Sequence, residues 1–294
     1  MTLEQLRIFV AVAEREHVTR AARDLNLTQS ATSAAVAALE SRYATRLFDR
    51  VGRRIALTDA GRLFLIEARA VLARAASAEL VLADLAGLRV GSLGLAASQT
   101  VGNYWLPKFI QAFRSAYPGI SVSLVMGNTE TVAALVRDGE ANLGFVEGEV
   151  EEPSLSATTV AEDEMTLVAP ADHPWSRHRA GSGLDLRSVS WVLREPGSGT
   201  RSILAGMLRG EGIAWSEIDA DLVLPSNEAV RSAVEAGAGV TVISKLVVAR
   251  ALAAGTLVAV DYPLPRRRFF MLRHKDRYAT AAESEFMRLI EKAA

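Results

Sequence analysis

Residues 19–58, TRAARDLNLTQSATSAAVAALESRYATRLFDRVGRRIALT, constrain this chain more than any other stretch. Two short helices, a tight turn, a longer helix and a basic hairpin follow one another, which is the order of a winged helix-turn-helix. In such a unit the start of one helix enters a DNA groove while the hairpin flanks it. Everything after residue 90 instead alternates strands and helices, as a small-molecule receptor does. The two together in one chain imply a switch from ligand binding to DNA binding.

The chain of 294 residues is half apolar, enough for two cores and against disorder. Cysteine is absent, which excludes disulfides, thiol redox sensing and thiolate metal sites. The four histidines show no ligand spacing, so neither a metal nor a cofactor is expected. The opening MTLEQLRIFVAVAERE does not read as a secretory signal, and no apolar run approaches the ~20 residues that span a bilayer. A cytoplasmic protein with no membrane partner is expected. Net charge is −1, and residues 1–60 carry nine arginines against seven acids. DNA binding must therefore rest on where the arginines sit rather than on bulk charge.

The expected fold is α/β overall, in three pieces. Residues 1–58 form a mainly α winged helix-turn-helix. Leu3, Leu6, Phe9, Val10 and Ala13 mark the buried face of its first helix, and Thr19–Leu25 form its second. Asn26 and Leu27 make the turn. Thr28 then caps a third helix, with Ala31, Ala35, Val36 and Leu39 facing inward. Gly52 tips the hairpin. Residues 59–89 form a linker helix from Asp59 to Ala86, stopped by Gly87. Leu63, Ile66, Ala70, Ala73, Ser77 and Leu80 recur at steps of three and four, the seam of a dimer-forming coiled coil. Residues 90–294 form a two-lobed α/β domain, with lobe I at about 90–161 and 266–294 and lobe II at about 162–265.

An internal echo supports the two lobes. Residues 124–146, LVMGNTETVAALVRDGEANLGFV, lie without a gap on 222–244, LVLPSNEAVRSAVEAGAGVTVIS, matching Glu130 to Glu228 and Gly139 to Gly237. Upstream, LGLAA leads to Ser98-Gln99-Thr100 and SWVLR leads to Ser198-Gly199-Thr200, each before a helix. Two helix starts facing each other across a cleft, each with hydroxyls, make a neutral clamp for a small anion. Asn128, Thr129 and Glu147 end the next strands of lobe I and are candidates for the same cleft, as are Ser226 and Asn227 in lobe II.

At the DNA end, the first residues of the third helix are Thr28, Gln29, Ser30 and Ser33. Gln29 can pair bidentately with adenine, and the hydroxyls can reach phosphates. Arg53 and Arg54 at the hairpin suit a narrow, electronegative minor groove, and Arg20 and Arg50 suit phosphates.

LEQLRIFVAVAE, TRAARDLNLTQSA, ALE and LFDRVGRRIALTDAG, with the long helix beyond, resemble the LysR-type transcriptional regulators. The resemblance spans nearly the whole chain and is strongest in residues 1–62. It implies a bacterial homodimer or homotetramer on bent double-stranded promoter DNA, with contact to RNA polymerase. It also implies a periplasmic-binding-protein-like domain that takes a small coinducer. The segments SQTVGNY, EGEV and REPGSGTR most resemble the branch regulating sulfur assimilation, which implies an oxyanion such as sulfite or sulfate; a small carboxylate satisfies the same physics. Two positions depart from the family pattern. Thr32 stands where an aliphatic residue is usual, and Ala34 where a polar or basic one is common.

Other classes fit less well. Ser198 lies in Gly-Ser-Gly, which is not a nucleophile elbow, and GSGTR lacks the Gly-Lys-Ser/Thr of a phosphate loop, so an enzyme is not expected. An exported solute-binding protein would need a leader and no wing. A DNA-binding regulator whose receptor half is silent to ligand remains open.

Overall fold

The computed structural model describes residues 1–51, 54–85, 91–177 and 183–292. It divides into two compact units, Met1–Leu88 with Asp138–Glu140, and Arg89–Arg137 with Ala141–Ala294.

In the first unit, α1 (Leu3–Arg15) opens on a capping box between Thr2 and Gln5 and buries Leu6, Ile8, Phe9, Val12 and Ala13. Leu3, expected on that face, is 44% exposed, because it opens the first turn ahead of the residues that the neighbouring helices cover. Then α2 (Val18–Asp24) buries Ala21 and Ala22, small enough for another helix to cross closely. The tight turn falls at Asn26, at φ 55°, a conformation asparagine tolerates better than most residues. The Thr28 hydroxyl accepts from Ala31 N and starts α3 (Gln29–Tyr43).

One residue of α3 corrects the expected pattern. Ala31 is exposed and Thr32 takes its place inside, fully buried. The Thr32 hydroxyl donates to the Thr28 carbonyl at 3.0 Å, so a polar group is buried without being left unpaired. Later in the same helix, the Glu40 carboxylate accepts from Leu47 N and Phe48 N and fastens the hairpin β1 (Phe48–Val51) and β2 (Arg54–Leu57). These strands pair antiparallel, Phe48 opposite Leu57.

The long helix α4 (Asp59–Leu85) starts on the Thr58 hydroxyl, which accepts from Gly61 N. One side packs Phe64, Leu65, Ala68 and Leu72 onto the head's core. The other leaves Leu63 at 69% and Ile66 at 49% exposed. Gly52, Arg53, Ala86 and Gly87 lie outside the described residues, as do the side chains of Arg50, Arg54, Ser77 and Leu80.

The second unit holds two lobes built alike, one around a five-stranded sheet and one around a three-stranded and a two-stranded sheet joined by a single bridge. The five-stranded sheet runs in the order β4 (Ile120–Gly127), β3 (Gly91–Ser98), β5 (Leu143–Glu147), β12 (Arg267–His274) and β6 (Leu155–Asp163). Strand β3 pairs parallel with β4 and β5, while β12 pairs antiparallel with β5 and β6. The inner strand β5 is buried throughout, whereas edge strand β4 alternates. Helices α5 (Pro107–Ala116), α6 (Thr129–Asp138) and α10 (Ala281–Glu291) bury one face each, and Phe113, Phe145, Phe269 and Phe286 share one core.

The other lobe repeats the plan. Strand β9 (Asp219–Leu224) pairs parallel with β8 (Ser190–Arg194), a Trp191–Val240 bridge leads to β10 (Thr241–Ser244), and β7 (Met165–Pro170) and β11 (Leu257–Val260) complete the series. Helices α7 (Gly199–Gly210), α8 (Asn227–Glu235) and α9 (Lys245–Ala254) flank it. The echo is thus a structural repeat. Its matched glycines, Gly139 at φ 83° and Gly237 at φ 87°, both take the left-handed conformation after their helices. The chain crosses between lobes twice, between β6 and β7 and between β11 and β12. Asp163, the last residue of β6, stands opposite Arg267, the first of β12.

Candidate functional site

On the head, Thr28, Gln29, Ser30 and Ser33 are all exposed at the start of α3, as is Ala34. The Thr28 hydroxyl is occupied by its cap and lies 3.1 Å from the Ser30 hydroxyl. Gln29 and Ser33 make no side-chain bond among the described residues. Arg20 is exposed on α2. Thr32 belongs to the core, so its departure from the family pattern leaves the outer face of α3 unchanged.

The cleft of the second unit differs from the neutral clamp expected. Its centre is a buried charged network around Arg267, whose side chain is 2% exposed. Arg267 Nε donates to Asp163 at 2.7 Å, Nη2 to Thr100 Oγ1 at 3.1 Å and Nη1 to Thr200 Oγ1 at 3.2 Å. Nη1 also lies 3.6 Å from Glu147 Oε1. Thr100 donates to that same carboxylate oxygen at 3.1 Å and accepts from Asn227 Nδ2 at 2.9 Å. One donor and two lone pairs are all a hydroxyl has, so Thr100 is fully engaged. Asn227 in turn accepts from Arg194, which forms a bidentate pair with Glu195 at 2.8 Å on each arm. Asp163 also accepts from Ser244 at 2.7 Å.

The two expected helix starts are not alike. Ser98 ends β3, and the chain after Thr100 makes a single π-type turn, Val101–Trp105, closed by a bond from Leu106 N to Val101 O. Pro107, with no N–H to give, follows and sets the start of α5. Only Ser198-Gly199-Thr200 stands at the start of a regular long helix, α7. There Gly199 has a packing reason: a Cβ on it would lie 2.2 Å from the Glu147 carbonyl oxygen. Both lobes therefore meet backbone to backbone at that point.

Several candidates are held by ordinary structural work. Ser226 caps α8 through Ala229 N, and Asn128 Oδ1 accepts from Thr131 N. Asn128 Nδ2 also reaches Pro196 O at 3.3 Å across the lobes, and Gln99 Nε2 reaches Pro225 O at 3.1 Å. Thr129 Oγ1 donates to the Glu147 carbonyl at 2.8 Å. Ser198 is buried and its side chain makes no capping bond.

Two buried oxygens have no partner among the described residues: Ser98 Oγ and Glu147 Oε2. They sit at the ends of the adjacent strands β3 and β5. Burial pushes the Glu147 carboxyl above the usual carboxylate range, against the opposing pull of Arg267 and the Thr100 bond. Burial pushes Glu195 the same way, but there the Arg194 hydrogen bonds prevail and hold it below that range. Glu147 and Arg267 line a groove of about 1220 Å³, together with Thr129, Gly199, Ser202 and Arg268.

Arg267, Arg194, Asp163 and Ser244 are absent from the candidates drawn from sequence. A run such as Arg266-Arg267-Arg268 reads as a solvated basic stretch. The signal lay in alternation, since Arg267 shares its strand face with Phe269 and Met271, all three buried.

A winged helix-turn-helix head, a long helix and a two-lobed receptor define a DNA-binding transcription regulator with an effector-binding domain. The chain belongs to the LysR family. Residues 3–62 match "Bacterial regulatory helix-turn-helix protein, lysR family", and residues 86–294 match "LysR substrate binding domain". The Escherichia coli K12 protein "Uncharacterized HTH-type transcriptional regulator YeiE" is 34% identical over 289 residues, 98% of this chain and 96% of that one. The Cyanophora paradoxa "Probable RuBisCO transcriptional regulator" is 32% identical over 97% of this chain and 90% of its own. Full-length CbnR, solved with its target DNA, shares the fold at a TM-score of 0.71 and 22% identity, with both chains fully covered. The Synechocystis CcmR regulatory domain, solved in complex with 2-PG, superposes at 0.62 and 25% identity, covering 69% of this chain and 97% of that one. These relatives and families are regulators, not enzymes. No described helix is long and apolar enough to cross a membrane.

Proposed function

We propose that the second unit binds a small anion between lobes 90–161 with 266–294 and 162–265, and that occupancy alters how the head bends and holds promoter DNA. The observation that carries this is a groove lined by the buried Arg267, which a second buried arginine, Arg194, joins through Asn227 and Thr100, with an unpaired Ser98 hydroxyl at the end of the nearby strand β3. Thr200 accepts from Arg267 and keeps its own O–H to give. Sulfite, sulfate or a small carboxylate suits such donors.

The remaining parts follow the same division of labour. Gln29, Ser30 and Ser33 read the major groove, Arg53 and Arg54 a minor groove, and Arg20 and Arg50 phosphates. The exposed Leu63 and Ile66 pair two copies through the linker helix (residues 59–89), and dimers join into a tetramer that meets RNA polymerase in the cytoplasm. A ligand shifts this assembly only by binding its two arrangements unequally.

A mobility-shift titration on the promoter fragment beside the chain's own gene tests the proposal, run with and without sulfite, sulfate and acetate. At least one anion shifts the complex for wild type, and Thr200→Val loses that response while keeping DNA affinity. A normal response from the variant removes Thr200 from the site. The full engagement of Thr100 favours a second reading, a regulator silent to ligand, which indifference to every anion would support.

A further inference from the structure

The network at the groove is not a simple anion receptor, because its buried charges already cancel, Arg194 and Arg267 against Glu147 and Asp163. Arg194 and Arg267 face Glu147, Asp163 and Glu195. Asp163 is matched by Arg267 and Ser244, and Glu195 by Arg194. Glu147 differs: Oε1 takes the Thr100 hydroxyl and stands off Arg267 at 3.6 Å, while Oε2 is buried with nothing to accept from among the described residues. An ionised carboxylate only accepts. A second oxyanion brought beside it repels it in a low dielectric unless a proton lies between them.

We propose that Glu147 makes this cleft select oxyanions that carry their own proton, one O–H being shared between the ligand and Glu147 Oε2. Inorganic phosphate, which keeps at least one O–H at neutral pH, satisfies that condition. Sulfate, which has none, binds only when Glu147 itself takes up a proton and donates. The ligand's other oxygens face the Ser98 and Thr200 hydroxyls and Arg267.

The groups that set this balance come from every element around Glu147. Arg267 on β12 and Arg194 on β8 favour the ionised form, Asp163 on β6 offsets Arg267, and Thr100 hydrogen-bonds the ionised form. Glu130, Glu149, Glu151 and Glu152 stand on the same groove wall with Arg137, Arg209, Arg266 and Arg268, while Gly199 of α7, against the Glu147 carbonyl and Cγ, brings no charge. Burial opposes ionisation most of all.

This inference rests on the cleft being the effector site, and the test separates the two. Binding of phosphate and of sulfate to the full-length protein is measured by calorimetry from mildly acidic to neutral pH, for wild type and Glu147→Gln. In wild type, phosphate binds more tightly than sulfate near neutrality. Sulfate affinity falls by up to about tenfold per pH unit as pH rises, because one proton is taken up with the anion. Sulfate does not titrate in this window, so that slope belongs to the protein. In Glu147→Gln the amide donates, the slope for sulfate disappears and the preference for phosphate is lost. Equal, pH-independent binding of both anions by wild type overturns the role of Glu147 and leaves the cleft standing. No binding of either anion by either protein overturns this proposal, and the cleft reading falls with it only if sulfite and acetate also leave the mobility shift unchanged.

Discussion

Replacing Arg267 with methionine strikes the point where the two crossings between lobes are tied together. Methionine keeps much of the length and volume but supplies no donor. Asp163 is left with Ser244, and Glu147 with Thr100, while the Thr100 and Thr200 hydroxyls each lose a donor. Arg267, Glu147 and Asp163 are all nearly inaccessible, so water cannot replace the guanidinium. Removing one partner of a buried ion pair costs about 3–5 kcal/mol, far more than the net worth of the pair itself. For a domain of this size each kcal/mol moves the thermal midpoint by about 2–4 °C, so a fall of roughly 6–20 °C is expected.

The deficit depends on pH. Burial raises the folded-state pKa of Glu147, so the folded protein holds a proton the unfolded chain releases. That contribution is fully present below the ordinary carboxylate pKa and is lost as pH rises through the folded value. Without Arg267 the folded value rises further, so the variant's deficit grows from acidic towards neutral pH. Thermal unfolding followed by circular dichroism across that range measures both effects. A midpoint within about 3 °C of wild type at neutral pH, with no recovery on acidification, would refute the view that Arg267 ties the crossings together.

Two further outcomes concern the head and the linker. Gln29→Ala should reduce discrimination between specific and random DNA by about 1–3 kcal/mol while leaving stability unchanged, since the side chain is exposed; competition footprinting reads this, and an unaltered ratio removes Gln29 from base recognition. Leu63→Glu combined with Ile66→Glu should turn dimers into monomers without unfolding the head, because these side chains lie opposite Phe64 and Ala68. Sedimentation velocity decides it, and an intact dimer places the interface elsewhere.

Local physics wrote much of this protein into its sequence. The Thr28 cap, the Asn26 turn, the amphipathic helices and the glycine-matched echo each depend on residues close together in the chain, so they are legible from spacing alone. Thr32 shows where that legibility fails: a threonine on a helix start reads as a surface hydroxyl, and only the packing of α3 against its neighbours turns it inward. The cleft shows it more strongly. Ser98, Thr100, Glu147 and Thr200 could be named as candidates because strands end there. Whether each hydroxyl was open to a ligand or consumed by a neighbour depended on Arg267, Arg194 and Asn227, which come from three distant elements.

Sequence by itself determined the order of elements, the division into head, long helix and repeated lobes, and the exposed polar start of α3. Tertiary structure alone decided the charge of the cleft, because a buried ion's state depends on partners that folding brings within about 4 Å, however far apart they lie in the chain.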